Sequence, residues 1–194
     1  MGGTYLNIGI FAHDPSEFPD PAKMTAPADR SEIEKLFKGW RPHFADIAKL
    51  YPEENFIKWG LFDLDNDPPP TYAGGRVCIV GDAAHASTPF LGVGACTGVE
   101  DALVLCTLLE SIQQQQQASK SSDPDGDSLR EALQVYSRAR LDRGRFVHHT
   151  SRELGQMFVW RYEPTGRDGE RMKQKLEQAS DMVVKYDVLE PLKA

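Results

Sequence analysis

Apolar residues along this chain gather into a few short runs, separated by stretches rich in proline, glycine and acidic side chains. The tightest run is Val77-Cys78-Ile79-Val80, with Gly74-Gly75 upstream and Gly81-Asp82 directly after. An unbroken apolar run of this length predicts a strand buried on both faces. Gly81 then permits a sharp turn at the strand end. From about Gly94 to Leu109, Val99, Ala102, Leu103, Val104, Leu105, Cys106, Leu108 and Leu109 cover most of a helical circumference, which predicts a buried helix. Pro89 to Gly98 links the two with Gly92, Gly94 and Gly98 set among small residues, so a ligand can approach the backbone closely.

The flanking segments are read in the same way. Tyr5–His13 and Phe56–Leu64 alternate apolar and polar residues and predict strands. Asp14–Pro27 carries Pro15, Pro19, Pro21 and Pro27 and predicts a loop. Ser31 and Glu34 form a capping box opening a helix to Lys38, and Pro42 starts another to Tyr51, with Trp40 as the anchor where they meet. Gln113–Asp127 is low in complexity and rich in turn residues, and it reads as a disordered insertion. A second capping box, Ser128 and Glu131, opens a long helix to about Trp160, with Arg138 and Arg145 on a solvated face. Arg167–Tyr186 predicts a final amphipathic helix.

Charge and composition narrow the function classes. Lys and Arg number 22 against 29 Asp and Glu in 194 residues, a formal charge of −7 with no basic cluster. That excludes the phosphate neutralisation on which nucleic-acid binding depends. No apolar run has the length of a membrane span and no signal-peptide pattern opens the chain, so the expectation is no membrane association and a cytoplasmic location. Cys78, Cys96 and Cys106 are an odd count with no CxxC spacing, and they read as small hydrophobes in a reducing compartment. No metal site is expected. His43 has no ligand partner at metal spacing, the adjacent His148 and His149 diverge on a helix, and the Asp123–Asp127 cluster lacks the terminal Glu of a calcium loop.

The chemistry therefore concentrates on the central stretch. Asp82 falls at the carboxyl end of the predicted strand, where open α/β sheets bind ligands. The first N–H groups of the following helix lack intrahelical partners and carry partial positive charge, worth about 0.5–2 kcal/mol to an electron-rich group. An ordinary strand–loop–helix connection would need its glycines only for tight packing. Here they come with an acidic strand end and a proline at fixed spacing, which points to a ligand.

Gly81-Asp82-Ala83-Ala84-His85, Thr88-Pro89, Gly92-Val93-Gly94 and Glu100-Asp101-Ala102 together resemble the second FAD-binding motif of class A flavoprotein aromatic hydroxylases, in their salicylate-hydroxylase-like subgroup. The resemblance implies an FAD-dependent monooxygenase that hydroxylates a small aromatic substrate through a flavin hydroperoxide, with NAD(P)H as reductant. It implies an α/β fold: part of a Rossmann-like FAD-binding domain, strands of a substrate-domain sheet, and C-terminal helices. The implied divisions are a partial substrate domain over 1–70, an FAD-binding strand–loop–helix over 71–112, a linker over 113–127 and a helical region over 128–194. The implied cofactor residues are Gly81, Asp82, Pro89, Gly92, Val93, Gly94 and Ala95. Asp82 would face ribityl hydroxyls, Pro89 the isoalloxazine ring, and the N–H groups near Gly94 and Ala95 its N1 and O2 edge. No catalytic residue is singled out. Cys96 stands where the family more often carries Gly or Asn. Tyr136, Arg140 and Arg143 match a Tyr-x-x-x-Arg-x-x-Arg pattern in the family, and the two arginines are expected to pair with carboxylates.

Two family signatures are absent. The only candidate for the ADP-binding GxGxxG, Gly92 to Gly98, spaces its last glycine one residue too far. Asp125-Gly126 lies in the predicted linker and does not serve as the family's Asp-Gly motif. Two readings follow: a monooxygenase chain completed by an N-terminal half or a partner chain, or a truncated, non-redox protein that keeps the fold as a scaffold or for another reaction.

Overall fold

The computed structural model describes Gly3, residues 7–119 and residues 126–193. The chain divides into two compact units, Met1–Leu61 and Phe62–Ala194. It is a mixed α/β chain in which helices dominate and each unit holds one small two-stranded sheet.

In the first unit β1 (Thr25–Ala28) pairs antiparallel with β2 (Phe56–Trp59), in the register Thr25 to Trp59 and Ala28 to Phe56. β1 overturns the expectation that Asp14–Pro27 is loop throughout. The Gly60 N–H donates to the Met24 carbonyl at 2.9 Å, so by alternation Ala26 and Ala28 take the hydrogen-bonded positions. Pro27, which has no N–H to donate, falls between them where none is needed. The expected strand over Tyr5–His13 does not form: residues 7–13 have no regular structure, and Tyr5 and Leu6 lie outside the described residues.

Helix α1 (Arg30–Leu36) is capped by Asp29, which accepts from the Ser31 N–H at 2.8 Å, two residues before the cap read from the sequence. Helix α2 (Pro42–Ala48) begins on its proline, as expected. Trp40 bridges the two through edge contacts with Phe37 and Phe44 at 5.6 and 5.3 Å, yet stays 58% exposed.

The second unit is built on two long helices, α4 (Gly94–Ser119) and α5 (Asp127–Phe158). Helix α4 runs on through Gln113–Gln117, and residues 120–125 of the expected linker lie outside the described residues. A hairpin of β3 (Ala73–Gly74) and β4 (Val77–Cys78) lies against α5. Ser137 accepts from the Tyr72 N–H at 2.8 Å, and the Tyr136 hydroxyl donates to the Ile79 carbonyl at 3.0 Å. Tyr72, Ala84, Val104 and Tyr136 form the core at this junction. A second cluster of Leu154, Met157 and Ala179 lies where α6 (Gly169–Val184) meets α5.

Two burial expectations are corrected. Val77 and Val80 are 69% and 44% exposed, because β4 pairs along one edge only. Helix α4 buries Thr97, Asp101 and Val104 on the side facing α5, while Val99 and Leu103 remain exposed. Of the cysteines, Cys96 and Cys106 lie on that exposed side and Cys78 is half-buried.

Candidate functional site

The candidate ligand-binding stretch starts at Gly81, whose φ of 58° and ψ of −139° are open only to glycine. This turn, three residues beyond the end of β4, starts α3 (Asp82–His85). The Gly81 carbonyl accepts from the N–H groups of Ala84 and His85, both at 2.9 Å. Asp82 therefore emerges at the start of a tightly closed turn. Its side chain is exposed and makes no hydrogen bond or ion pair to any described residue.

A 3₁₀ turn (Pro89–Leu91) follows, then Gly92 in the left-handed region at φ 74°. Pro89, Gly92 and Ala95 are exposed, while Val93 and Gly94 are half-buried. The Thr97 N–H donates to the Val93 carbonyl at 2.9 Å, which leaves the N–H groups of Gly94, Ala95 and Cys96 without acceptors among the described residues. A Cβ placed on Gly98 would sit 3.7 Å from the Gly81 Cα, and one on Gly94 3.9 Å from Ser87 Oγ. The first turns of α4 thus lie directly against the Gly81 turn. The free carboxylate and the unsatisfied N–H groups belong to one local structure.

Three sets of buried polar groups hold this stretch in place. Asp101, fully buried on α4, accepts from the Gly81 N–H at 2.9 Å, from His85 Nε2 at 2.6 Å and from Arg140 Nε at 2.7 Å. Because an ionised carboxylate only accepts, His85 carries its proton on Nε2, and its buried Nδ1 has no partner among the described residues. Arg140 also donates to Glu100 at 2.7 Å, and Arg143 grips the same carboxylate through two donors at 3.1 and 2.8 Å. The expected pairing of both arginines with carboxylates is present. Tyr186 covers the arginines, its ring centre 4.1 Å from the Arg143 guanidinium carbon.

The second anchor is Ser151, fully buried on α5. Its Oγ accepts from the Thr88 hydroxyl at 3.0 Å and the Leu91 N–H at 3.1 Å, and donates to the Thr88 carbonyl. The third is the segment just after Phe62. The Leu64 N–H donates to the Ala86 carbonyl at 3.1 Å, and Asp63 pairs with Arg152. His148 and His149 do not diverge as expected: their Nδ1 atoms lie 3.2 and 3.1 Å from the same Asp65 oxygen. No group of residues that could hold a metal ion occurs among the described residues.

Sequence reasoning anticipated the two arginines of this supporting layer but not Asp101 or Ser151 as its anchors. Asp101 carried a signal, an acidic residue inside an otherwise apolar helical run. Ser151 carried none, since a serine on a polar helical stretch is ordinary.

Burial raises the Asp101 and Glu100 carboxyls, but the hydrogen bonds from His85, Gly81 and Arg140 to the first, and from the two arginines to the second, outweigh it and hold both below their ordinary values. Burial lowers the His148 pKa more than its Asp65 partner raises it. In all three the folded state binds its proton less readily than the unfolded chain, so stability is full above the ordinary pKa and is lost as pH falls below it. Denaturant melts between pH 7.5 and 3 are expected to show a first decline below about pH 6.5, from His148, and a steeper one below about pH 4, from Asp101 and Glu100. His148→Gln is expected to flatten the first; an unchanged first decline in that variant would refute the assignment.

The FAD binding domain family matches residues 46–145. The chain belongs to that family. An FAD-dependent monooxygenase of Aspergillus terreus (strain NIH 2624 / FGSC A1156) is 42% identical over 96% of this FAD-binding chain, and FAD-dependent monooxygenase pigN of Monascus ruber is 39% identical over 96%. Among solved structures, a salicylate hydroxylase in a substrate complex superposes with a TM-score of 0.65 at 31% identity, over 94% of the chain and 40% of that protein. The chain spans 41% and 42% of the lengths of the two monooxygenases. Its fold and its resemblance are therefore those of a salicylate-hydroxylase-like flavoprotein, and its cofactor is FAD.

Proposed function

We propose that the strand–loop–helix over 71–112 holds the ribityl and isoalloxazine portion of FAD in a monooxygenase that hydroxylates a small aromatic substrate. The observation that carries this reading is Asp82. Its exposed, unengaged carboxylate stands directly after the Gly81 turn, beside a helix start with three unsatisfied N–H groups. Asp82 accepts hydrogen bonds from the ribityl hydroxyls. The N–H groups of Gly94 and Ala95 face the electron-rich edge of the ring, where the helix dipole favours negative charge. Gly81, Gly92 and Val93 shape the backbone path, and the exposed Pro89 lies along the ring. Bound FAD, reduced by NAD(P)H, supplies the oxygen activation, and the protein contributes binding, orientation and electrostatics.

The aromatic substrate class is supported by the likeness to the salicylate hydroxylase substrate complex. The ADP half of FAD falls to an N-terminal half or a partner chain, since this sequence has no GxGxxG unit. Cysteines without disulfides fit a reducing, cytoplasmic setting. A non-redox scaffold with the same fold makes the opposite prediction in the test.

Asp82→Ala is expected to weaken FAD binding at least about tenfold, the loss of one or more hydrogen bonds to a charged group. Its circular dichroism and melting temperature should match the parent, because the side chain is exposed and makes no internal contact. Unchanged affinity in the variant would remove Asp82 from the site.

A further inference from the structure

We propose that Asp101 is a positioning residue for the flavin site: it fixes the Gly81 peptide and so sets the direction in which Asp82 is presented. The inference rests on the flavin reading of Asp82.

The Gly81 peptide is held from both sides. Its carbonyl is engaged by the N–H groups of Ala84 and His85, and its N–H by Asp101 Oδ2 at 2.9 Å. The first set belongs to the α3 turn itself. Among the described residues, the Asp101 bond is the one hydrogen bond of the Gly81 backbone that reaches another element, twenty residues further along the chain. Asp101 in turn cannot move freely. Its Oδ1 is fixed by Arg140 from α5 and its Oδ2 is shared with His85, all three side chains being buried. The Gly81 turn, α3, α4 and α5 thus meet at one carboxylate, and Asp82, the exposed acid that follows Gly81, is the ligand-facing group. A charge buried this completely needs all its hydrogen bonds, and this one has three donors arranged around two oxygens.

Asparagine at this position nearly preserves shape but replaces one acceptor oxygen by a donor. If its oxygen keeps Arg140, its NH₂ points at the Gly81 N–H, donor against donor, and the turn is released. Glutamate keeps the charge for Arg140 but moves the carboxylate by one methylene away from its place against Gly81.

The test is amide hydrogen exchange of the ¹⁵N-labelled full chain, together with FAD titration, for the parent, Asp101→Asn and Asp101→Glu. Gly81 is expected to exchange at least about tenfold faster in Asp101→Asn while Val147, in the interior of α5, keeps its rate. FAD affinity is expected to weaken by a similar factor. Should Asp101→Asn fail to fold, Asp101→Glu gives the same readings. Unchanged Gly81 exchange overturns the proposal. Parallel loss of protection at Gly81 and Val147 also overturns it, because Asp101 is then a general structural residue. Faster Gly81 exchange with unaltered FAD affinity denies the positioning role. A parent chain whose Gly81 is protected as described but which takes up no FAD overturns the flavin reading, and leaves the anchoring of the turn established by exchange alone.

Discussion

Arg140→Met is expected to destabilise the second unit by about 3–5 kcal/mol, the cost of removing one partner from a buried ion pair. Arg140 is fully buried and donates to both Asp101 and Glu100. Methionine fills much of the volume but leaves Asp101 with a charge in the core and two donors where it had three. Glu100 fares better, because Arg143 still grips it through two hydrogen bonds. The damage therefore falls on the Gly81 turn, and the melting temperature should drop on the order of 10–15 °C. Arg143→Met removes a side chain that serves only one of the two carboxylates and is expected to cost less than Arg140→Met. Comparing the two by urea denaturation checks the claim. Equal losses would mean that the carboxylates share the arginines without distinction.

Gly144→Ala should be the next most damaging, and its sign is the informative part. In an exposed helix interior, alanine is favoured over glycine by about 1 kcal/mol. On α5 a Cβ at position 144 would lie 2.1 Å from the Tyr72 hydroxyl oxygen, 3.0 Å from the His85 Cβ and 3.2 Å from the Tyr72 ring. Tyr72 is 2% exposed and packs in the core, so its ring has nowhere to swing. Overpacking of this kind costs about 1–3 kcal/mol and sometimes more, which reverses the propensity gain. Because the second obstacle is His85, part of the strain passes to the residue that shares Asp101 with the Gly81 turn. Adding Tyr72→Phe removes the nearest atom and should recover part of the loss. A Gly144→Ala chain as stable as the parent would show that α5 does not approach the hairpin this closely.

The sequence carried the candidate binding stretch further than it carried the packing around it. Gly81, Asp82 and the glycines that follow were legible because turn, strand end and helix start each impose a residue type. β1 was not, because Pro27 and the prolines that precede it argue against a strand, and only the ladder register shows that Pro27 sits where no N–H is needed. The apolar circumference from Val99 to Leu109 states a tendency to be buried but not what does the burying, and in the structure the side facing α5 is covered while Val99, Leu103 and Leu109 stay exposed. His148 and His149 looked divergent because helical geometry separates neighbouring residues, whereas a carboxylate placed between their paths, Asp65, receives both. Arg140 and Arg143 were read correctly as carboxylate partners. That Asp101 binds the Gly81 N–H as well required the three-dimensional meeting of α3, α4 and α5.

The most direct test of the account is an FAD titration of the purified chain, followed by flavin absorbance and by quenching of its three tryptophans. The account predicts saturable binding with a shifted flavin spectrum, because Asp82 and the start of α4 form a working half-site within this chain. A chain that is folded by circular dichroism, melts cooperatively and gives no saturable signal would contradict it, and would favour a protein that keeps this fold without the flavin.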